Sequence, residues 1–203
     1  MSQALSYYSH MPLLSIQEGV ETVLSKKTAL LVIDVQNGLI AGTRPAYHSA
    51  EVLANIQTLL SKARTANIPV IYIQHEGDEG SILEVGSQGW HIHSSITPET
   101  NEIIIAKRAS DSFYQTPLKD VLDSHSIQEL VIAGCKTEYC VDTTSRRATS
   151  LGYDVILAAD AHTTTDSDLL KAEQIVPYHN SILDDFGNDE HVIVVKNTAD
   201  ITF

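Results

Sequence analysis

The stretch 128-QELVIAGCKTEYCVDTTSRRATSLG-152 decides how the chain is read. It opens on a short, nearly unbroken apolar run that closes on Gly134-Cys135, the pattern of a strand buried on both faces. Further on, Val141, Thr144, Ala148 and Leu151 recur at helical spacing, and Gly152 suits a helix C-terminus. A buried strand therefore hands over to a helix, and the chain's two cysteines, Cys135 and Cys140, both fall at the handover. Four roles are open to the Cys140 thiol there: packing residue, half of a disulfide, metal ligand or nucleophile.

Outward from this unit the same alternation repeats. Apolar runs lie at 28-TALLVIDV-35, 68-IPVIYIQH-75, 102-EIIIAKR-108, 153-YDVILAAD-160 and 191-HVIVVKN-197. Between them, 49-SAEVLANIQTLLSKARTANIP-69 starts on a Ser cap and carries an apolar stripe of Val52, Ile56, Leu59, Leu60 and Ala63. A helix at 117-PLKDVLDSHS-126 has Pro in its first turn, and 168-DLLKAEQIVPYHNSIL-183 forms a last helix interrupted by Pro177. Strands alternating with helices predict α/β architecture: a three-layer αβα sandwich around a mostly parallel six-stranded sheet, with right-handed crossovers. The 203 residues suit one domain over 1–203. Residues 1–27 stand apart as an N-terminal arm, with a Ser15–Glu18 capping box weakened by Gly19. Residues 76–101 form a long excursion over or near the active site, a length characteristic of lids and interface pieces.

Bulk properties narrow the function. The net charge of −13 repels phosphate backbones and anionic lipid, so neither nucleic acid nor a membrane is an expected partner. No apolar run is long enough to span a bilayer, and MSQALSYYSHMPLLSIQEG has no basic and apolar regions of a secretory signal. With only two cysteines, these features predict a cytoplasmic protein with free thiols.

In open α/β sheets ligands sit beyond the carboxyl ends of the strands. Those ends carry Asp34 with Gln36 behind it, His75, Lys107, Cys135 leading to Cys140, Asp160 and Lys196. Singly, each has an ordinary reading: a cysteine at a strand end is a small hydrophobe, an aspartate a cap, a lysine a solvated charge. Together, an acid, an amine and a thiol on one rim make a nucleophilic site. A cation and a helix N-terminus favour thiolate, a carboxylate can take and return its proton, and backbone N–H groups can hold an oxyanion.

At 30-LLVIDVQNGL-39, 105-IAKRASDSFYQTPL-118 and 134-GCKTEYCVDTTSRRATSLGYDVILAADA-161 the sequence resembles the isochorismatase-like cysteine hydrolase superfamily, which includes nicotinamidases, N-carbamoylsarcosine amidohydrolase, ureidoacrylate amidohydrolase and isochorismatase. The resemblance covers roughly residues 28–197. It implies an isochorismatase-like, Rossmann-like topology, with Asp34 as general base, Lys107 as its charge partner and Cys140 as nucleophile. It also implies a cis peptide between Cys135 and Lys136, aiming the backbone N–H groups of Lys136 and Cys140 at an oxyanion, and a homo-oligomer (dimer or tetramer). Isochorismatases proper replace the cysteine with a non-nucleophilic residue. Retention of Cys140 therefore favours hydrolysis of a small amide, ureide or related carbonyl compound through a thioester, with Asp34 also activating the water that releases the acid. The alternatives are vinyl ether hydrolysis with Asp34 as acid, and a non-catalytic ligand-binding or redox-sensing protein on the same scaffold. Gln36, His75, Trp90, Phe113 and Tyr139 are the candidate substrate contacts.

No metal or other cofactor is expected. The nicotinamidase metal pattern after the second strand is missing from 74-QHEGDEGS-81, and His91 and His93, two apart, face opposite ways if extended. In 160-DAHTTTD-166, Asp160 is read as a strand-end cap. The fragment 134-GCKT-137 lacks the glycine spacing of a phosphate loop.

Overall fold

The computed structural model describes residues 26–203; the arm expected over 1–27, with Ser15 and Glu18, lies outside the described residues except for Lys26 and Lys27. Six strands, β1 (Thr28–Ile33), β2 (Val70–His75), β3 (Ile103–Lys107), β4 (Glu129–Cys135), β5 (Asp154–Thr163) and β6 (Ile193–Lys196), form one sheet in the order β3-β2-β1-β4-β5-β6. Every pairing is parallel. The helices are α1 (Asn37–Ile40), α2 (Ser49–Thr65), α3 (Leu118–Ser124), α4 (Asp142–Ser150) and α5 (Ala172–Leu183).

The unbroken apolar strands follow from burial on both faces. All of β1 is buried; Leu30 and Val32 join one core, while Ala29, Leu31 and Ile33 join the other. The expected stripe of α2, from Val52 to Ala63, closes the first core. Leu118 and Leu122 of α3, Ala148 of α4 and Leu183 of α5 close the second.

Three boundaries differ from the sequence reading. The helical spacing read from Val141 to Leu151 is only partly α-helix: Val141 closes a π-turn, Thr137–Val141, and α4 begins at Asp142. The last helix begins only at Ala172, whose N–H donates to Asp166 Oδ1 at 2.9 Å, because the Ser167 hydroxyl oxygen accepts the Leu170 N–H and folds 167–170 into a separate turn. The fifth strand does not stop at Asp160. Ile132 pairs with Leu157, but Gly134 pairs with His162 and Cys135 with Thr163, so a bulge slides β5 forward and carries it to Thr163. Asp160 therefore lies within the strand instead of capping its end; its Oδ1 accepts the Thr198 N–H at 2.8 Å and hydroxyl at 2.7 Å.

The strand order reverses at β1, which has β2 on one side and β4 on the other. Beyond the carboxyl ends of such neighbours the crossovers diverge and leave a crevice. Ile33 lies in register with Ile73 and Gly134 at its mouth.

Candidate active site

Each side chain of the crevice is placed by its strand end. Asp34 follows β1 in the left-handed region, φ 51°, which aspartate tolerates better than most residues. Its N–H still donates to Ile73 O at 2.9 Å, so the turn starts without breaking the ladder. His75 and Lys107 are register partners at the ends of β2 and β3. At Gly134, φ 137°, a Cβ would stand 2.0 Å from the Ile33 carbonyl oxygen, so glycine is required for β4 to pass this close to β1. The Cys135–Lys136 peptide is cis, and the π-turn that follows carries Cys140 into α4.

These elements bring together an acid, an amine, an imidazole and a thiol. Lys107 Nζ stands 2.7 Å from Asp34 Oδ2, with both side chains sealed from solvent, and donates to Ala109 O at 2.9 Å. Neither Asp34 oxygen has a partner in hydrogen-bonding geometry among the described residues. A carboxylate oxygen of Asp34, a ring nitrogen of His75 and Cys140 Sγ all lie within 4.8 Å of one another. Burial pushes the Asp34 carboxyl above its ordinary range, against the pull of the Lys107 charge. Burial alone would lower the Lys107 ammonium, but the facing Asp34 charge and Cys140 hold it above its ordinary value. Burial and the Asp34 charge push the Cys140 thiol up to about 12, with Lys107 opposing. Burial thus keeps the proton on sulfur and makes Asp34 a stronger base beside it. A buried ion pair of this kind is poor evidence for stability and better evidence for chemistry.

The turn bearing Cys140 is held by the end of β5 and the two residues that follow it. Lys136 Nζ donates to Thr165 Oγ1 at 2.9 Å, the Thr137 hydroxyl meets His162 Nδ1 at 2.9 Å, and Glu138 Oε1 accepts from Thr164 Oγ1 at 2.9 Å. His162 is buried, and its Nε2 stands 2.7 Å from Asn180 Oδ1. Asn180 Nδ2 donates to Ala159 O at 3.0 Å, which orients the amide and assigns the imidazole proton to Nε2. Burial holds His162 down to about 4. Its folded pKa thus lies below the unfolded one, so the stability is complete above about 6.5 and is lost as pH falls toward about 4, by about 3 kcal/mol. In urea unfolding at pH 7 and at pH 4.5, the wild type is expected to show this loss and His162→Gln to show a flatter dependence.

The sequence makes Gln36 a candidate substrate contact; the structure places its amide against backbone. Gln36 is fully buried; its Nε2 donates to His75 O at 3.0 Å and Trp90 O at 2.7 Å, while its Oε1 accepts the His75 N–H at 2.9 Å. Both ends of the amide are occupied by backbone, clasping the excursion to β2. Asn37 and Gly38 extend the clasp through N–H bonds to His91 O and Gly89 O, each 2.9 Å. Gln36→Ala is expected to lower stability by about 2–3 kcal/mol through unpaired buried backbone groups. Limited proteolysis should then cut first within 76–92. Phe113 is likewise drawn away from the rim: it packs on the second core and stacks on Tyr153, 6.0 Å between centroids, beside the start of β5 rather than its end. Tyr139 is 54% exposed next to Cys140, and the indole N–H of Trp90 is buried without a partner among the described residues. His93 Nδ1 accepts the Ser95 N–H of a short turn, so it serves as a local cap. Lys196 ends an edge strand two positions from β4 and takes no part. Asp34, His75 and Cys140 are also residue types that bind metals, the one such group among the described residues. The Lys107 ammonium against Asp34 opposes a second cation there.

Known proteins share this sequence family and fold. Residues 28–176 match the isochorismatase domain family. A streptothricin hydrolase of Streptomyces noursei is 37% identical over 138 residues, 68% of this chain and 50% of that protein. The chain thus spans about half the length of that relative. An uncharacterised isochorismatase family protein of Bacillus subtilis is 35% identical over 153 residues, 74% of this chain and 84% of its own. Among solved structures, a putative isochorismatase hydrolase from Oleispira antarctica superposes with a TM-score of 0.78 at 31% identity, covering 87% of this chain and 96% of that one.

Proposed function

The chain belongs to the isochorismatase family, and from that premise we propose a cysteine-dependent hydrolase of a small amide, ureide or related carbonyl compound. The observation that carries this reading is the single cluster of Asp34, Lys107 and Cys140 at the crevice. Asp34 takes the Cys140 proton as sulfur bonds to the carbonyl carbon. The backbone N–H groups of Lys136 and Cys140 receive the developing oxyanion. The C–N bond breaks, the amine leaves with the proton held by Asp34, and water releases the acid from the thioester. Lys107 keeps Asp34 ionised between turnovers. Tyr139 and Trp90 remain substrate contacts in this reading. A cytoplasmic location and a homo-oligomer, dimer or tetramer, belong to the same proposal; no described helix is long and apolar enough to cross a membrane. Leu169, Tyr178 and Ile182, on or just before α5, expose apolar surface that a second copy would cover.

The test is a screen against nicotinamide, carbamoyl-amines, ureidoacrylate, streptothricin and isochorismate, with acid-quenched samples weighed by mass spectrometry. An acyl adduct on Cys140 during turnover supports the reading. Turnover of isochorismate alone, with no adduct, replaces it with ether hydrolysis in which Asp34 is the acid.

A further inference from the structure

After the thioester forms, a second reactant must reach it. Asp34 is poorly placed to receive that reactant, since it is fully buried and its Oδ2 lies against Lys107 Nζ. His75 is differently situated. It is only half-buried, and it lines an open cavity of about 280 Å3 together with Glu76, Asp78 and Arg108. Its Nδ1 is buried without a hydrogen-bond partner among the described residues. Its reactive nitrogen lies within 4.8 Å of Cys140 Sγ and of an Asp34 oxygen. Two polar atoms bridged by one tetrahedral water stand about 4.6 Å apart, so a separation of no more than 4.8 Å has room for at most one water between the imidazole and the sulfur that would carry the acyl group.

We infer that His75 is a further catalytic residue: it holds the water that cleaves the Cys140 thioester and takes that water's proton. The inference rests on the thioester reading above and reassigns this step from Asp34. As the water oxygen bonds to the acyl carbon, one of its protons passes to the imidazole. The C–S bond breaks, the acid leaves, and the imidazolium returns the proton to the Cys140 thiolate. One water is consumed, and thiol and neutral imidazole are restored. The charged groups facing His75 are Asp34 and Asp78, which favour imidazolium, and Lys107 and Arg108, which oppose it. Burial, acting with the two cations, outweighs the two carboxylates and keeps the ring neutral at pH 7, ready to accept. Arg108 is itself engaged by Glu76, 3.4 Å away, on the cavity wall.

The experiment uses p-nitrophenyl acetate, whose leaving group reports acylation and whose later turnover reports deacylation. In His75→Ala the initial burst of p-nitrophenolate is expected to persist, showing an intact nucleophile, while the rate after the burst falls about 100-fold. The acetyl adduct on Cys140 should accumulate, the dependence of that rate on the histidine pKa should vanish, and added imidazole should restore part of the rate. His75→Gln is expected to behave likewise without imidazole rescue. Post-burst rates matching the wild type in both variants overturn the inference and leave the thioester standing. Loss of the burst itself also overturns it, placing His75 in the first half-reaction. Undiminished turnover in Cys140→Ala removes the thioester, and with it the premise.

Discussion

Cys140→Ala is expected to lower turnover by at least about three orders of magnitude while leaving the urea midpoint nearly unchanged. The separation is possible because Cys140 is only partly enclosed, so the loss of sulfur removes chemistry and little packing. Cys135 provides the contrast. It is fully buried in the first core, and burial raises its thiol beyond reach of neutral pH. Iodoacetamide should therefore place one carbamidomethyl group per described cysteine pair, on Cys140, and pre-labelling should abolish turnover. Labelling of Cys135 in the folded protein, or activity surviving full modification of Cys140, would contradict this assignment. The resting Cys140 thiol is pushed up to about 12, so its labelling should be slower than that of a free thiolate and should quicken as pH rises.

Lys107→Met is expected to be the most destabilising single change at the site, by about 3–5 kcal/mol at pH 7, because it leaves Asp34 charged, buried and unpaired. The sign of its pH dependence follows. Burial already raises the Asp34 carboxyl and Lys107 is the largest opposing influence, so removing the ammonium raises it further. A carboxyl with a raised folded pKa is relatively stabilising when protonated. The variant should regain stability as pH is lowered toward that raised pKa and lose it as pH rises through it. Urea midpoints measured from pH 5 to pH 8 would show this slope. The double variant Asp34→Asn/Lys107→Met should recover much of the loss without recovering turnover. If Lys107→Met alone unfolds no more easily than the wild type at pH 8, the pair is not the buried counter-ion system described here.

The fold was legible because burial on both faces makes the inner strands β1, β2, β4 and β5 continuous apolar runs, while the edge strands β3 and β6 are apolar in sequence although Ile104 and Val194 are exposed. The rim was legible because strand ends are easy to locate and an αβα sheet points them one way. What could not be read was conformation that leaves no periodic trace. The slip that carries β5 to Thr163 arises from pairing between Cys135 and Thr163, distant in sequence. The reach of Thr137, Glu138 and Lys136 to His162, Thr164 and Thr165 depends on that slip. Gly134 does carry a signal: a glycine within an otherwise bulky buried run marks a close backbone approach. The backbone role of Gln36 was not legible, because a polar side chain behind a strand-end aspartate has the same appearance whether it faces a ligand or a carbonyl. Only its three backbone partners distinguish the two.

The Gln36 clasp also bears on how such proteins diversify. It grips the excursion through main-chain atoms of His75 and Trp90, and so is indifferent to most side chains between them. Residues 78–88 can therefore be rewritten, lengthened or recruited from elsewhere like an interchangeable cassette, altering which molecules are admitted while the acid, amine and thiol stay where they are.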